Sequence, residues 1–251
     1  MKARAGGLLK QWGTVLLPVL LYLLLGLGMQ TLLLRAGLTV ETAKAASACV
    51  FPLPAVLWYF FRKDKPPRQP RNRTTVSLCM AAELAGVILC LAVTAAWVDQ
   101  RLSASVGALP VSLLSVLGFG IAGPVTEEIL YRGVVFQRCV RSFGLGWAVL
   151  LSTMLFAAAH QTLLQACMSL VAGAVFCLIY LRWRTLLAPI AVHIGVNLCS
   201  FFPFIKYVSA DASVLGMLAL TGYLVWAART LSGRKKRQDK GERYDDRDRT
   251  V

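Results

Sequence analysis

Apolar runs of about bilayer-crossing length divide this amino-acid sequence almost from end to end. They fall at 12–34, 45–61, 76–98, 106–135, 143–161, 164–181, 186–204 and 214–228. A hydrocarbon core is spanned by about 20 apolar residues in a helix. Only a helix or a closed barrel satisfies every backbone polar group there. Eight such runs in 251 residues predict an all-α, polytopic integral membrane protein of about eight transmembrane helices. Residues 1–231 are expected to form one domain. A hydrophobic content of 57% and a mean hydropathy of +0.63 exclude a soluble dinucleotide-binding or nucleic-acid-binding fold. The net charge of +15 does not point to nucleic acid, because it sits between the apolar runs. There it reads as orientation in the bilayer and attraction to anionic headgroups.

With eight helices, Arg35, Lys44, Arg101 and Lys206 lie on one side of the membrane. Every other Lys and Arg except Arg132 falls on the opposite side, including the basic loop at 62–73. Positive loops stay in the cytoplasm, so both termini are expected there, with the plasma membrane as the expected location. The first run is read as a transmembrane helix rather than a cleaved signal peptide. Its apolar core is long and no small-x-small cleavage site follows it. Pro52 and Pro54 predict a bent second helix. Residues 232–251 are charged and poor in apolar groups, which predicts a disordered tail. The seven cysteines are odd in number and form no Cys-x-x-Cys, so they read as packing residues.

Against this apolar background, the stretch GPVTEEILYRG from Gly123 to Gly133 puts Glu127, Glu128 and Arg132 in the fourth run. Charges at membrane depth are costly and need a partner or a task. Glu128 and Arg132 are four apart and share a helical face, so they are expected to pair. Glu127 is turned from that face by about 100° and is left as the candidate reactive carboxylate. The two histidines, His160 in FAAAH and His193 in HIGVN, lie in later apolar runs, with Asn197 one turn beyond His193. The small residues Ala157, Ala158, Ala159, Ala191 and Gly195 allow close helix approach. Straight helices would set Glu127 and His160 at depths differing by roughly 9 Å. A break in the fourth helix near Gly118, Gly120, Gly123 and Pro124, or a tilt of the fifth, is therefore expected.

Peptide hydrolysis in a membrane needs an activated water, a proton for the leaving amine and donors for the oxyanion. Glu127 can take the water proton, His160 can orient the water, and His193 with Asn197 can donate to the oxyanion. Glu127, His160 and His193 could alternatively hold zinc with an open position for water. The zinc-protease signature His-Glu-x-x-His is absent, as is a Gly-x-Ser-x-Gly nucleophile elbow. Two non-proteolytic readings use the same residues: a peptide- or toxin-binding immunity or scaffold protein, and a proton-coupled transporter. No paired broken helices in matching halves support the transporter. Glu83 reads either as a support for the site or as the partner of a basic group.

EEILYRG, FAAAH and HIGVN, in that order on apolar segments, resemble the three motifs of the CPBP intramembrane proteases. That family includes the CAAX prenyl proteases and the bacterial Abi or bacteriocin-immunity proteins. The resemblance covers about 118–199. It implies an endopeptidase acting on membrane-embedded or lipidated peptides, prenylated CAAX proteins among them. It assigns Glu127 and His160 to water activation and His193 and Asn197 to oxyanion stabilisation or ligation, with Glu128 and Arg132 in support. Both zinc-dependent and metal-free glutamate mechanisms are associated with the family, and the residues alone leave that choice open.

Overall fold

The computed structural model describes residues 2–61, 78–102, 112–201 and 208–248. Within them the chain is helical, with no β-strand. In order the helices are α1 (Lys2–Arg35), α2 (Val40–Val50), α3 (Pro52–Phe61), α4 (Leu78–Leu102), α5 (Leu113–Phe143), α6 (Leu145–Ala158), α7 (Leu163–Trp183), α8 (Leu187–Cys199) and α9 (Ala210–Asp248). Among the described residues six apolar stretches are long enough to cross a membrane: Lys10–Arg35, Val40–Tyr59, Met80–Val98, Leu113–Phe143, Leu163–Trp183 and Ala210–Thr230. α6 and α8 are apolar but shorter, at 14 and 13 residues. At 1.5 Å per residue each rises roughly 20 Å, against a hydrocarbon core of about 30 Å.

Leucines at 24, 25 and 27 on α1 are more than half exposed, as a lipid-facing helix requires. α2 begins at the N-cap Thr39, whose hydroxyl accepts from the Thr42 amide. It gives way to α3 at Phe51, directly before Pro52, the expected place for the bend. The basic loop at 62–73 and Lys206 lie outside the described residues.

α5 is the central element, and here the expected break is not observed. The backbone stays helical from Leu113 to Phe143 but widens twice into π-helix, at Val116–Ala122 and Ile129–Val135. The Gly123 amide donates to Gly118 O, five residues back, and Phe136 does the same to Tyr131 O. Pro124 accounts for the first of these. It has no N–H to offer, so the ladder ahead of it cannot keep an uninterrupted α register. The depth mismatch is further relieved in α6, which stops at Ala158. His160 therefore lies on a non-helical turn and not, as expected, on the helix face of Phe156.

α2 packs on the first π segment, α1 on the second, and α8 crosses both the first π segment and Gly123–Glu128. Contact between α2 and α5 is backbone-close at Gly118. A Cβ there would meet the Ala45 carbonyl oxygen, with Ala45 Cα at 2.9 Å. On the other flank, Glu83 of α4 pairs with Arg182 Nε at 2.7 Å and accepts from Tyr223 Oη of α9 at 3.0 Å. Glu83 thus belongs to a clamp joining α4, α7 and α9. The six described free cysteines, Cys49, Cys90, Cys139, Cys167, Cys177 and Cys199, form no disulfide.

At the C-terminal end the backbone differs from expectation. α9 continues as helix to Asp248, through the stretch whose composition reads as a disordered tail. Arg and Lys together outnumber any other class of residue between 232 and 248, and both are strong helix formers.

Gly118→Ala is expected to cost about 1–3 kcal/mol, because a backbone neighbour cannot move aside. Gly120→Ala should cost less, since its added methyl meets the flexible Leu198 Cδ2, at 2.8 Å. Thermal unfolding of both variants in detergent checks the order, and equal losses would contradict it.

Candidate active site

Glu127 and Glu128 end the α-helical turn Gly123–Glu128, between the two π segments. Glu128 is fully buried, and its Oε1 accepts from Arg132 Nη1 at 2.8 Å. The expected pair at four-residue spacing thus forms. Arg132, also fully buried, donates from Nη2 to Gly173 O at 2.9 Å. Its guanidinium lies over the rings of Phe156 and Phe176, at 4.7 and 5.2 Å. The geometry depends on Gly173 having no side chain. A Cβ there would stand 3.3 Å from Arg132 Nη2 and 3.2 Å from Phe156 Cδ1.

His193 joins this pair from α8. Its Nδ1 lies 3.0 Å from Glu128 Oε1, and its Nε2 lies 3.8 Å from Glu127 Oε2. An ionised carboxylate can only accept, so Nδ1 carries the proton and Nε2 is presented to Glu127. Phe176 stacks on the imidazole with centroids 4.8 Å apart. His160 reaches the same region from its turn. Its Nδ1 is 2.9 Å from Phe156 O, and a carbonyl accepts, so this proton also sits on Nδ1. The same carbonyl also accepts from the Ala159 amide at 3.3 Å, so the ring is tied to the closing turn of α6. The Nδ1 bond leaves Nε2 as the ring nitrogen available for chemistry. Phe156 is the common support: its ring meets Tyr131, His160 and His193 edge-on, at 5.3, 5.0 and 5.7 Å.

Glu127 stays partly accessible, with 24% of its side chain exposed, while Glu128 is sealed. Both histidines lie close enough to act electrostatically on Glu127. Approach to the cluster is over Glu127 and His160, both half-buried. Two surface hollows, along α1 beside Leu24, Gly28 and Arg35 and between Trp12, Phe143 and Trp147, are not lined by the cluster's residues.

Asn197 has a different partner from its neighbours. Its Nδ2 donates to Phe119 O at 2.9 Å. The reason lies in the first π segment. The amide that would serve Phe119 O in an α register, Gly123 N–H, goes to Gly118 O. The next residue is Pro124, which has no N–H. Asn197 supplies the missing donor with one amide hydrogen and keeps the other. In the second π segment, Ser152 Oγ donates to Tyr131 O at 2.9 Å.

Glu127, Glu128, Arg132, His160 and His193 are therefore brought together, with Asn197 beside them on Phe119. Gly173 and Phe176, which orient Arg132 and His193, were not singled out by the sequence. Among the described residues no group of three His, Cys, Asp or Glu is placed to hold a metal ion.

Residues 109–199 match the family described as type II CAAX prenyl endopeptidase, Rce1-like. The curated protein "Putative membrane peptidase YdiL" of Bacillus subtilis (strain 168) is 27% identical over 84 residues, 34% of each chain. The match therefore spans about a third of that relative's length. No solved structure matches. The matched stretch contains both glutamates, Arg132, both histidines and Asn197 on a membrane-spanning helical scaffold. Over that stretch the chain is similar to the Rce1-like CAAX prenyl endopeptidase family and to that putative membrane peptidase.

Arg132→Met should destabilise the protein by about 3–5 kcal/mol, because it strands Glu128 as an unpaired buried charge. Adding Glu128→Gln removes that charge and should recover much of the loss. Unfolding of the single and double variants in detergent checks this, and a double variant no more stable than the single would contradict it.

Proposed function

We propose that this protein is an intramembrane endopeptidase that uses Glu127 to activate water. One observation carries the reading: a partly accessible carboxylate faces Nε2 of His193 at 3.8 Å, while that ring is fixed through Nδ1 on the buried Glu128–Arg132 pair. A carboxylate flanked by oriented imidazoles suits general-base chemistry, which contributes about 10²–10⁴-fold.

In the proposed reaction a water sits between Glu127 and His160 Nε2. Glu127 removes its proton as the oxygen attacks the peptide carbonyl carbon, and the electron pair moves to the carbonyl oxygen. His193 enters the step as an imidazolium, with a proton on Nε2 taken up from solvent, and that N–H and the remaining amide hydrogen of Asn197 donate to the oxyanion without being transferred. Collapse breaks the C–N bond, and the proton held on Glu127 passes to the leaving nitrogen. Glu128 and Arg132 hold the His193 ring and touch no reacting atom. The substrates proposed are membrane-associated proteins or peptides. The CAAX prenyl endopeptidase description of the matching family supports including prenylated chains among them.

The proposed setting is the plasma membrane with both termini cytoplasmic, supported by the excess of Lys and Arg on that side. Reporter fusions active only in the cytoplasm should give signal at either end, and a silent fusion at one end would reverse the assignment.

Glu127→Gln removes the base while keeping the side chain's shape. Membranes carrying the native protein should contain new peptide termini that fall at least about 10²-fold with Glu127→Gln, at equal protein level. Labelling of termini followed by mass spectrometry reads this, and identical terminus profiles would reject the peptidase reading.

A further inference from the structure

His160 is the one member of the cluster that no helix carries. It lies on the four-residue turn at 159–162, between α6 and α7. Thr162 caps α7 by accepting from the Gln165 amide at 3.2 Å. The His160 ring is tied to the Phe156 carbonyl at 2.9 Å. Both bonds are local to the hairpin of α6 and α7. A side-chain bond from outside the hairpin comes from Lys44 of α2, whose Nζ donates to Gln161 Oε1 at 2.8 Å. The two residues are 117 positions apart, and Gln161 directly follows His160.

α2 is itself seated on α5, the helix of Glu127. Ala45, next to Lys44, lies so close to Gly118 that a Cβ there would stand 2.9 Å from Ala45 Cα. Packing of backbone on backbone leaves no loose volume for sliding. A path from Glu127 to His160 therefore closes through α5, α2, Lys44 and Gln161. Nothing else in the chain calls for a lysine at this place. It lies on an apolar stretch long enough to cross a membrane, where a charge needs a partner or a task. Orientation does not ask for it, because it is expected on the side that carries few positive charges. Among the described residues its ammonium meets a neutral amide and no carboxylate. A hydrogen bond with one charged partner is shorter and stronger than a neutral one, which suits it to fixing a turn.

We infer that Lys44 is a positioning residue for the proposed hydrolysis: through Gln161 it holds the His160 turn so that Nε2 and Glu127 share one water. Lys44 and Gln161 touch no reacting atom, and no proton passes through them. Their bond sets where the imidazole stands, while the Phe156 carbonyl sets which way it points. α2, which lies outside the matched stretch 109–199, thereby becomes part of the catalytic apparatus.

This inference rests on the peptidase reading, and the experiment separates the two. The chain has two histidines, so labelling their ring carbons gives two resonances, which His160→Gln and His193→Gln assign. In the detergent-purified full chain, Lys44→Met and Gln161→Ala should each shift the His160 resonance and leave that of His193 in place. Gln161 is exposed and uncharged, so its replacement reads position without disturbing the core or the local charge. Lys44→Arg keeps a donor and should leave both resonances near their native positions. A terminus that depends on Glu127 is then rebuilt as an internally quenched peptide. Lys44→Met and Gln161→Ala should each lower kcat about tenfold with KM within about twofold, since misplacement by about 1 Å can cost ~10²-fold. The double variant should lose no more than either single one, because both break the same bond. Native kcat in Gln161→Ala, or an unmoved His160 resonance, overturns the role of Lys44 and leaves the peptidase reading standing. Movement of both resonances also overturns it, in favour of a general loosening of the fold. Absence of any Glu127-dependent terminus overturns the peptidase reading and this inference with it.

Discussion

The buried ion pair between Glu128 and Arg132 is the interaction on which the rest of the site is hung. Two charges taken from water into a packed, apolar interior are costly, and contacts from neighbouring groups offset that cost although Glu128 Oε2 and Arg132 Nε make no hydrogen bond. Arg132 reaches across to the Gly173 carbonyl of α7 and lies over two phenyl rings. Glu128 turns the same oxygen to His193 of α8. A pair formed within one helix thereby fixes the rotation of two others. Breaking it would leave a bare charge in the core and release the ring that faces Glu127.

A division of labour between adjacent carboxylates results. They are neighbours in sequence, yet one is fully sealed and the other a quarter exposed. The sealed one orders protein groups. The exposed one has imidazole on two sides and an approach for water. The aromatic side chains around them do related work. Phe156 and Phe176 occupy volume that water would otherwise fill, and they hold both imidazoles by ring contact.

Much of this was legible in the residues. The apolar runs mark the helices, although 143–161 and 186–204 fold as helices too short to span alone. The Glu128–Arg132 pair follows from four-residue spacing, and Glu127 follows as the carboxylate left over. The position of His160 was not legible, because the hydropathy that suggests a helix to 161 carries no sign that α6 ends at Ala158. Gly173 was missed for a more general reason. It contributes a backbone carbonyl, which every residue has, and an absent Cβ, which matters only once Arg132 is known to lie against it. Asn197 was expected to face the oxyanion, but one of its hydrogens answers a backbone need set by Pro124, on a different helix.

The two π segments carry a consequence of their own. Each inserts a surplus residue into a turn, and every such insertion swings the remainder of the helix by about 100° around its axis. Across α5 the 3.6-residue count therefore slips twice, and no single stripe of the helix stays turned to one neighbour. The unbroken buried stretch from Glu128 to Phe136 is the visible result. Ahead of it Leu113, Leu117 and Ile121 still keep an exposed apolar edge, whereas the part from Glu128 to Phe136 has no lipid side and has to be ringed by other helices.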